Sequence, residues 1–147
     1  MILLSRRGYL ALAAVADIAI HARPAPVAAK ALAARLGLPP RHLEALLQGL
    51  VHANILKGVR GPRGGYELAR ERRRITAASI LRAVSSENGA DETLDCQLVR
   101  RVVAPIVEAA GKAFLAELET ITIDDLCHRA EDLKLHNEKD AGPDFII

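Results

Sequence analysis

Tryptophan is absent, and only Tyr9, Tyr66, Phe114 and Phe145 are aromatic. A chain of 147 residues so poor in rings lacks the side chains that dominate the cores of β-sandwiches and barrels. Cysteine is nearly as scarce: Cys96 and Cys127 are too few for a disulfide framework and match a reducing compartment, the cytoplasm. No run approaches the ~20 apolar residues that a membrane span requires. Nucleotide loops, nucleophile elbows and metal-ligand spacings are missing too, so no enzyme class finds its constellation, and neither a catalytic residue nor a metal site is expected. Ala (26) and Leu (21) fill the chain instead, and both are strong helix formers. With 50% hydrophobic residues this is a folded, mainly helical protein and not a disordered one.

Charge of one sign is scarce only on balance. The net charge is +2, yet residues 1–75 hold 13 Lys/Arg against 4 Asp/Glu, and residues 76–147 hold 7 against 14. The first part therefore carries +9 and the second −7. A basic half attracts a polyanion, whereas an acidic half repels one, so the division points to nucleic acid at one end; a plain solubility pattern is the competing explanation.

Ser5-Arg6-Arg7-Gly8-Tyr9-Leu10 has the form of a twin-arginine export signal, followed by apolar Ala11–Ile20 and small residues near Ala25. Asp17 interrupts that stretch, and Tyr9, Leu12, Ala13, Ala16 and Ile20 recur at helical spacing, which predicts an amphipathic core helix instead.

That helix is expected over about Arg6–His21, ending before Arg23-Pro24-Ala25-Pro26. A short helix over about Val27–Leu36 follows, facing inward with Ala29, Leu32, Ala33 and Leu36. Gly37 terminates it, Leu38-Pro39-Pro40 turns, and Pro40 suits the first turn of a third helix reaching about His52. In this third helix Leu43, Leu46, Leu47, Leu50 and Val51 form an apolar stripe. Arg41, Glu44, Ala45, Gln48 and His52 lie opposite. A short helix, a Gly-containing turn and a helix with a long polar face describe a helix–turn–helix.

Ile55–Val59 and Tyr66–Ala69 read as short strands flanking Arg60-Gly61-Pro62-Arg63-Gly64-Gly65. A hairpin directly after the third helix makes the motif a winged one, with tip arginines able to reach phosphates or a narrow minor groove. No Lys-Ser/Thr pair follows the glycines, which removes the phosphate-loop alternative; a purely structural hairpin stays open. Arg70, Arg72, Arg73 and Arg74 add basic charge beside this wing.

Thr76 is placed to cap a helix through about Ser85, with Ala78, Leu81 and Val84 inward. Ser86–Asp95 is polar, acidic and linker-like. A long helix then runs from about Gln97 or Arg101 to Glu119, with Pro105 near its start or at a kink. Val99, Val102, Val103, Ile106, Val107, Ala110, Phe114 and Leu118 give it more apolar surface than one neighbour can cover, which suggests subunit pairing; intramolecular packing is the alternative. Thr122-Ile123-Asp124-Asp125 has the form of a capping box for a last helix to about Leu133.

The expected fold class is mainly α with a small β-hairpin wing: a winged helix–turn–helix plus a long dimerisation helix. The expected units are 1–86 (DNA-binding winged helix–turn–helix), 87–96 (flexible acidic linker), 97–135 (dimerisation helix and C-terminal helix) and 136–147 (loose tail). The expected partners are double-stranded DNA and a second copy, with no membrane and an unidentified small-molecule or protein effector. A winged-helix module that binds protein without DNA, and an exported protein, are the alternatives.

Tyr9, the helix around Leu43-Glu44, Val59-Arg60-Gly61-Pro62-Arg63-Gly64-Gly65-Tyr66 and Ile121-Thr122-Ile123-Asp124-Asp125-Leu126 together resemble the Rrf-two family of winged-helix transcription regulators, of IscR/NsrR-like type. The resemblance covers about residues 1–133. It implies a homodimeric regulator, most often a repressor, whose long helices cross in the dimer. It also implies that Arg60 enters the minor groove and that Glu44 contacts bases in the major groove. Its cluster-binding members carry three cysteines just before the long helix, where this chain has Cys96 alone. One thiolate cannot hold an iron–sulfur cluster by itself. No cofactor is therefore expected, the alternative being mixed ligation by Cys96, a carboxylate and a histidine from the partner subunit. Cys96 stands as the sensing candidate, although Asp95 and Glu92 disfavour its thiolate. Cys127-His128 is a weak metal pair, since adjacent helical residues point about 100° apart.

On this reading Arg41, Gln48 and His52 meet phosphates or base edges, Glu44 accepts from cytosine N4, and Arg60 and Arg63 anchor the wing.

Overall fold

The computed structural model describes residues 5–85 and 96–135. Among the described residues there are six α-helices and one hairpin: α1 (Arg6–His21), α2 (Ala29–Leu36), α3 (Pro40–His52), β1 (Leu56–Val59), β2 (Gly65–Leu68), α4 (Ala77–Val84), α5 (Ala104–Glu119) and α6 (Ile123–Asp132). A single 3-10 turn, Arg72–Arg74, lies between β2 and α4, and a wider π-type turn, Val99–Val103, leads into α5. Pro105 follows that wider turn within one continuous helical segment, and its nitrogen offers no N–H to the carbonyls of the preceding turn.

α1 is the central helix and packs against α2, β2, α4 and α6. Its buried side is Gly8, Ala11, Ala14, Val15, Ile18 and Ala19. That departs from the stripe expected from periodicity: Tyr9 and Ala13 are exposed, while Leu12 and Ile20 are only partly buried. Apolar residues run nearly all round α1, so their spacing does not single out a face. The small alanines decide it, because they let neighbouring backbones come close.

In α2, Leu32 and Ala33 are buried, and in α3 so are Leu43, Leu46, Leu47 and Leu50, as the periodicity requires. Val27, expected in the first turn of α2, instead forms an antiparallel bridge with Tyr66. Asp17 of α1, the acid that spoils the export reading, accepts two 2.8 Å hydrogen bonds from Nε and Nη2 of Arg35 in α2. Cleavage near Ala25 would strip α1 out of the core.

α4 and α6 begin side by side. Thr76 and Thr122 form an antiparallel bridge, and each opens a capping box, with Ser79 and Asp125 respectively. The Asp125 carboxyl is held below its ordinary range by the Thr122 backbone N–H and then the Thr122 hydroxyl. Ile123 and Cys127 of α6 are fully buried in the same core as α1. The expected linker 87–96 lies outside the described residues apart from Cys96, and so does the tail 136–147.

Candidate nucleic-acid interface

The turn between α2 and α3 is set by two residues. Gly37 takes the left-handed conformation at φ 67°, and the Leu38 N–H donates to the Ala33 carbonyl at 2.9 Å, closing α2. Pro39 then serves as the extended N-cap residue of α3, and Pro40 occupies its first turn. With the leucine face of α3 in the core, Arg41, Glu44, Gln48 and His52 are all exposed, and none makes a hydrogen bond or ion pair among the described residues. The opposite face of the helix is committed to packing; this one is free to meet a ligand.

The wing is an antiparallel pair in which Leu56 opposes Leu68 and Val59 opposes Gly65. Residues 60–64 form its tip, closed by a 2.9 Å bond from the Gly64 N–H to the Gly61 carbonyl. Gly61 has φ 115°, a conformation open only to glycine. Arg60 and Arg63 both project from this tip, exposed and without an ion pair among the described residues. A cleft of about 370 Å³ lies between wing and α3, with Gln48 and Arg60 both on its lining. The fold thus brings those two site residues together. Arg41, Glu44 and His52 share the exposed face of α3 outside that cleft, and Arg63 stands at the tip.

Not every nearby cation is available. Arg72 and Arg73 face Asp124 at 3.9 and 3.6 Å, Arg74 faces Glu71 at 4.0 Å, and Lys57 pairs with Glu67 across the hairpin at 2.8 Å. Arg70 donates to the Asn54 carbonyl. The basic run after the wing is therefore largely matched by local carboxylates and carbonyls, while Arg41, Arg60 and Arg63 keep their full field. Sequence alone did not separate these two groups, because Asp124 comes from α6, far along the chain.

A helix–turn–helix whose outer face is unpaired, followed by a hairpin with free tip arginines, defines a winged-helix DNA-binding transcriptional regulator. Residues 4–129 match the model of the Rrf2 family, "Iron-dependent Transcriptional regulator", and the chain belongs to that family. The regulator IscR of Xenorhabdus nematophila is 31% identical over 127 residues, 78% of this chain and 77% of that protein. IscR of Vibrio parahaemolyticus is 28% identical over 143 residues, 95% of this chain and 85% of that one. Among solved structures, T. potens IscR superposes with a TM-score of 0.72 at 33% identity, covering 88% of this chain and 89% of that chain. CymR, the global cysteine regulator of B. subtilis, gives 0.66 at 28% identity, covering 88% and 98%.

The family description implies iron, and the described residues do not gather a donor set that fits it. Cys96 is exposed just before the helical segment leading to α5, whereas Cys127 is fully buried in the core. Burial pushes the Cys127 thiol up from its ordinary value, opposed by the nearby Arg72 guanidinium. Among the described residues no three His, Cys, Asp or Glu side chains converge as a metal site. Cys127 and His128 do not act as a pair either: the ring of His128 is exposed and its Nδ1 lies 2.9 Å from the Asp124 carbonyl.

Proposed function

We propose that two copies of this chain pair along α5 and hold a palindromic operator, α3 entering successive major grooves and the wings the flanking minor grooves, so that bound DNA is closed to transcription. The observation that carries the pairing is the apolar surface around the start of α5. Leu98, Val102, Val103, Ile106 and Val107 are 45–67% exposed, and no residue of α5 is buried within the chain. A patch of that kind is covered by a partner in most soluble proteins.

In this arrangement Arg41, Gln48 and His52 contact phosphates or base edges. Glu44 accepts from a cytosine amino group and Arg60 and Arg63 anchor in the minor groove. Cys96 is the sensing candidate, as an exposed thiol beside the acidic segment rather than as a cluster ligand. The compartment is the cytoplasm, where DNA and a reduced Cys96 coexist.

Sedimentation of the full chain with duplex DNA tests this reading. A two-to-one complex whose affinity falls steeply with salt supports it. A one-to-one complex, or affinity indifferent to salt, overturns it.

A further inference from the structure

A second cavity, of about 530 Å³, lies between the DNA-binding body and the pairing helix and touches none of the residues assigned to DNA. Leu81 and Val84 of α4, with Phe114 and Leu115 of α5, supply its apolar lining. Its size and character suit a small organic molecule.

The polar groups at its edge define which one. Glu108 and Lys112 stand one turn apart on α5, in the order that favours pairing along a helix, yet no ion pair joins them and neither has another partner among the described residues. Among the described residues Ser5 and Ser85 are each half committed. The Ser5 oxygen accepts from the Gly8 N–H at 3.1 Å, which leaves its O–H to donate, and the Ser85 hydroxyl donates to the Leu81 carbonyl at 2.7 Å, which leaves its oxygen to accept. The cavity therefore offers one cation, one anion, one donor and one acceptor around an apolar lining. Between the two charges sits Gly111, where a β-carbon would meet nothing within 4 Å. Packing among the described residues does not call for glycine there, and glycine is disfavoured inside a helix; its effect is to keep the cavity open.

We propose that this cavity binds an α-amino acid with an apolar side chain. Its carboxylate would meet Lys112 and the Ser5 hydroxyl, its ammonium Glu108 and the Ser85 oxygen, and its side chain the four apolar residues. Such an occupant bridges α1 and α4 to α5, so it biases the position of the recognition helices relative to the pairing helix. That regulatory consequence rests on the dimeric reading above, whereas binding itself does not.

Calorimetric titration of the full chain with L-leucine, L-methionine and L-phenylalanine tests the assignment, with glycine, isocaproate and isoamylamine as controls lacking the side chain, the ammonium and the carboxylate. At least one of the three amino acids should bind and every control should bind at least about tenfold more weakly, the loss expected for one charge-assisted hydrogen bond or the buried side chain. Lys112→Gln and Glu108→Gln should each weaken binding by a similar factor. Gly111→Leu, which favours the helix while filling the space, should abolish it. Failure of all three amino acids, isocaproate binding as well as leucine, or binding that survives Gly111→Leu would overturn the proposal. Amino-acid binding by a chain that neither pairs nor holds DNA would support the cavity and overturn the dimeric reading instead.

Discussion

Gly65 lies so close to Val27 that a β-carbon on it would stand 2.2 Å from the Val27 carbonyl oxygen. The contact exists because the Val27 N–H donates to the Tyr66 carbonyl at 2.9 Å and the Tyr66 N–H donates back at 2.8 Å. The base of the wing is thereby laced to the segment entering α2, which fixes the tip arginines relative to α3. Gly65→Ala should cost about 1–3 kcal/mol of stability, as overpacking against backbone does, and should weaken DNA binding. Gly58→Ala, where a β-carbon meets nothing within 4 Å, should keep stability within about 1 kcal/mol of the parent chain. Chemical denaturation and fluorescence anisotropy of the two variants separate these outcomes.

Cations near the wing should divide by whether a carboxylate already faces them. Arg60→Ala should lower DNA affinity and flatten its log–log salt dependence by about one unit, the loss of one cation that displaces a counterion. Arg73→Ala should leave the slope alone, because Asp124 lies 3.6 Å from its guanidinium. Equal slopes for the two variants would remove Arg60 from the interface.

Glu44 adds no attraction for phosphate, so its replacement should act on sequence choice. Glu44→Ala should lose about 1–3 kcal/mol of discrimination at one base position while keeping affinity for duplex DNA in general. Selection from a randomised operator pool reads this directly, and recovery of the wild-type motif would argue against base contact.

Asp17 and Arg35 join α1 to α2 through two hydrogen bonds in a largely buried setting. Asp17→Ala should lower stability by about 1.5–3 kcal/mol, since the guanidinium keeps its burial and loses two charge-assisted hydrogen bonds. A double-mutant cycle with Arg35→Ala in urea should show coupling of the same sign.

The two thiols should behave as different groups. Cys96 should alkylate readily in the native protein, and Cys127 only after unfolding, as counted by mass spectrometry. The raised Cys127 value carries a pH consequence as well. Below the unfolded thiol's pKa both states are neutral at this site, and above it the unfolded state gains by ionising first, so stability should fall on the alkaline side. Cys127→Ala should remove that part of the alkaline slope.

Much of the architecture was legible because its signals are local. Gly37 and the proline pair mark the helix–turn–helix, the leucine spacing of α3 sets its buried face, and Thr76 and Thr122 announce the starts of α4 and α6. The wing followed from its glycines, whose tight contacts leave a recognisable string. Val27 has the local pattern of a helical residue because its partner Tyr66 comes from the hairpin, and no local pattern reports such a bridge.

The amino-acid sequence by itself determined the elements, their order and the polar face of α3, since periodicity, capping and turn chemistry act over a few residues. Tertiary structure alone decided which side of the all-round apolar α1 is buried, that α6 completes the core, and which arginines stay free. The reason is distance along the chain. A charge is neutralised or a cavity opened by groups that folding brings together from remote positions, as Asp124 meets Arg72 and α5 meets α4.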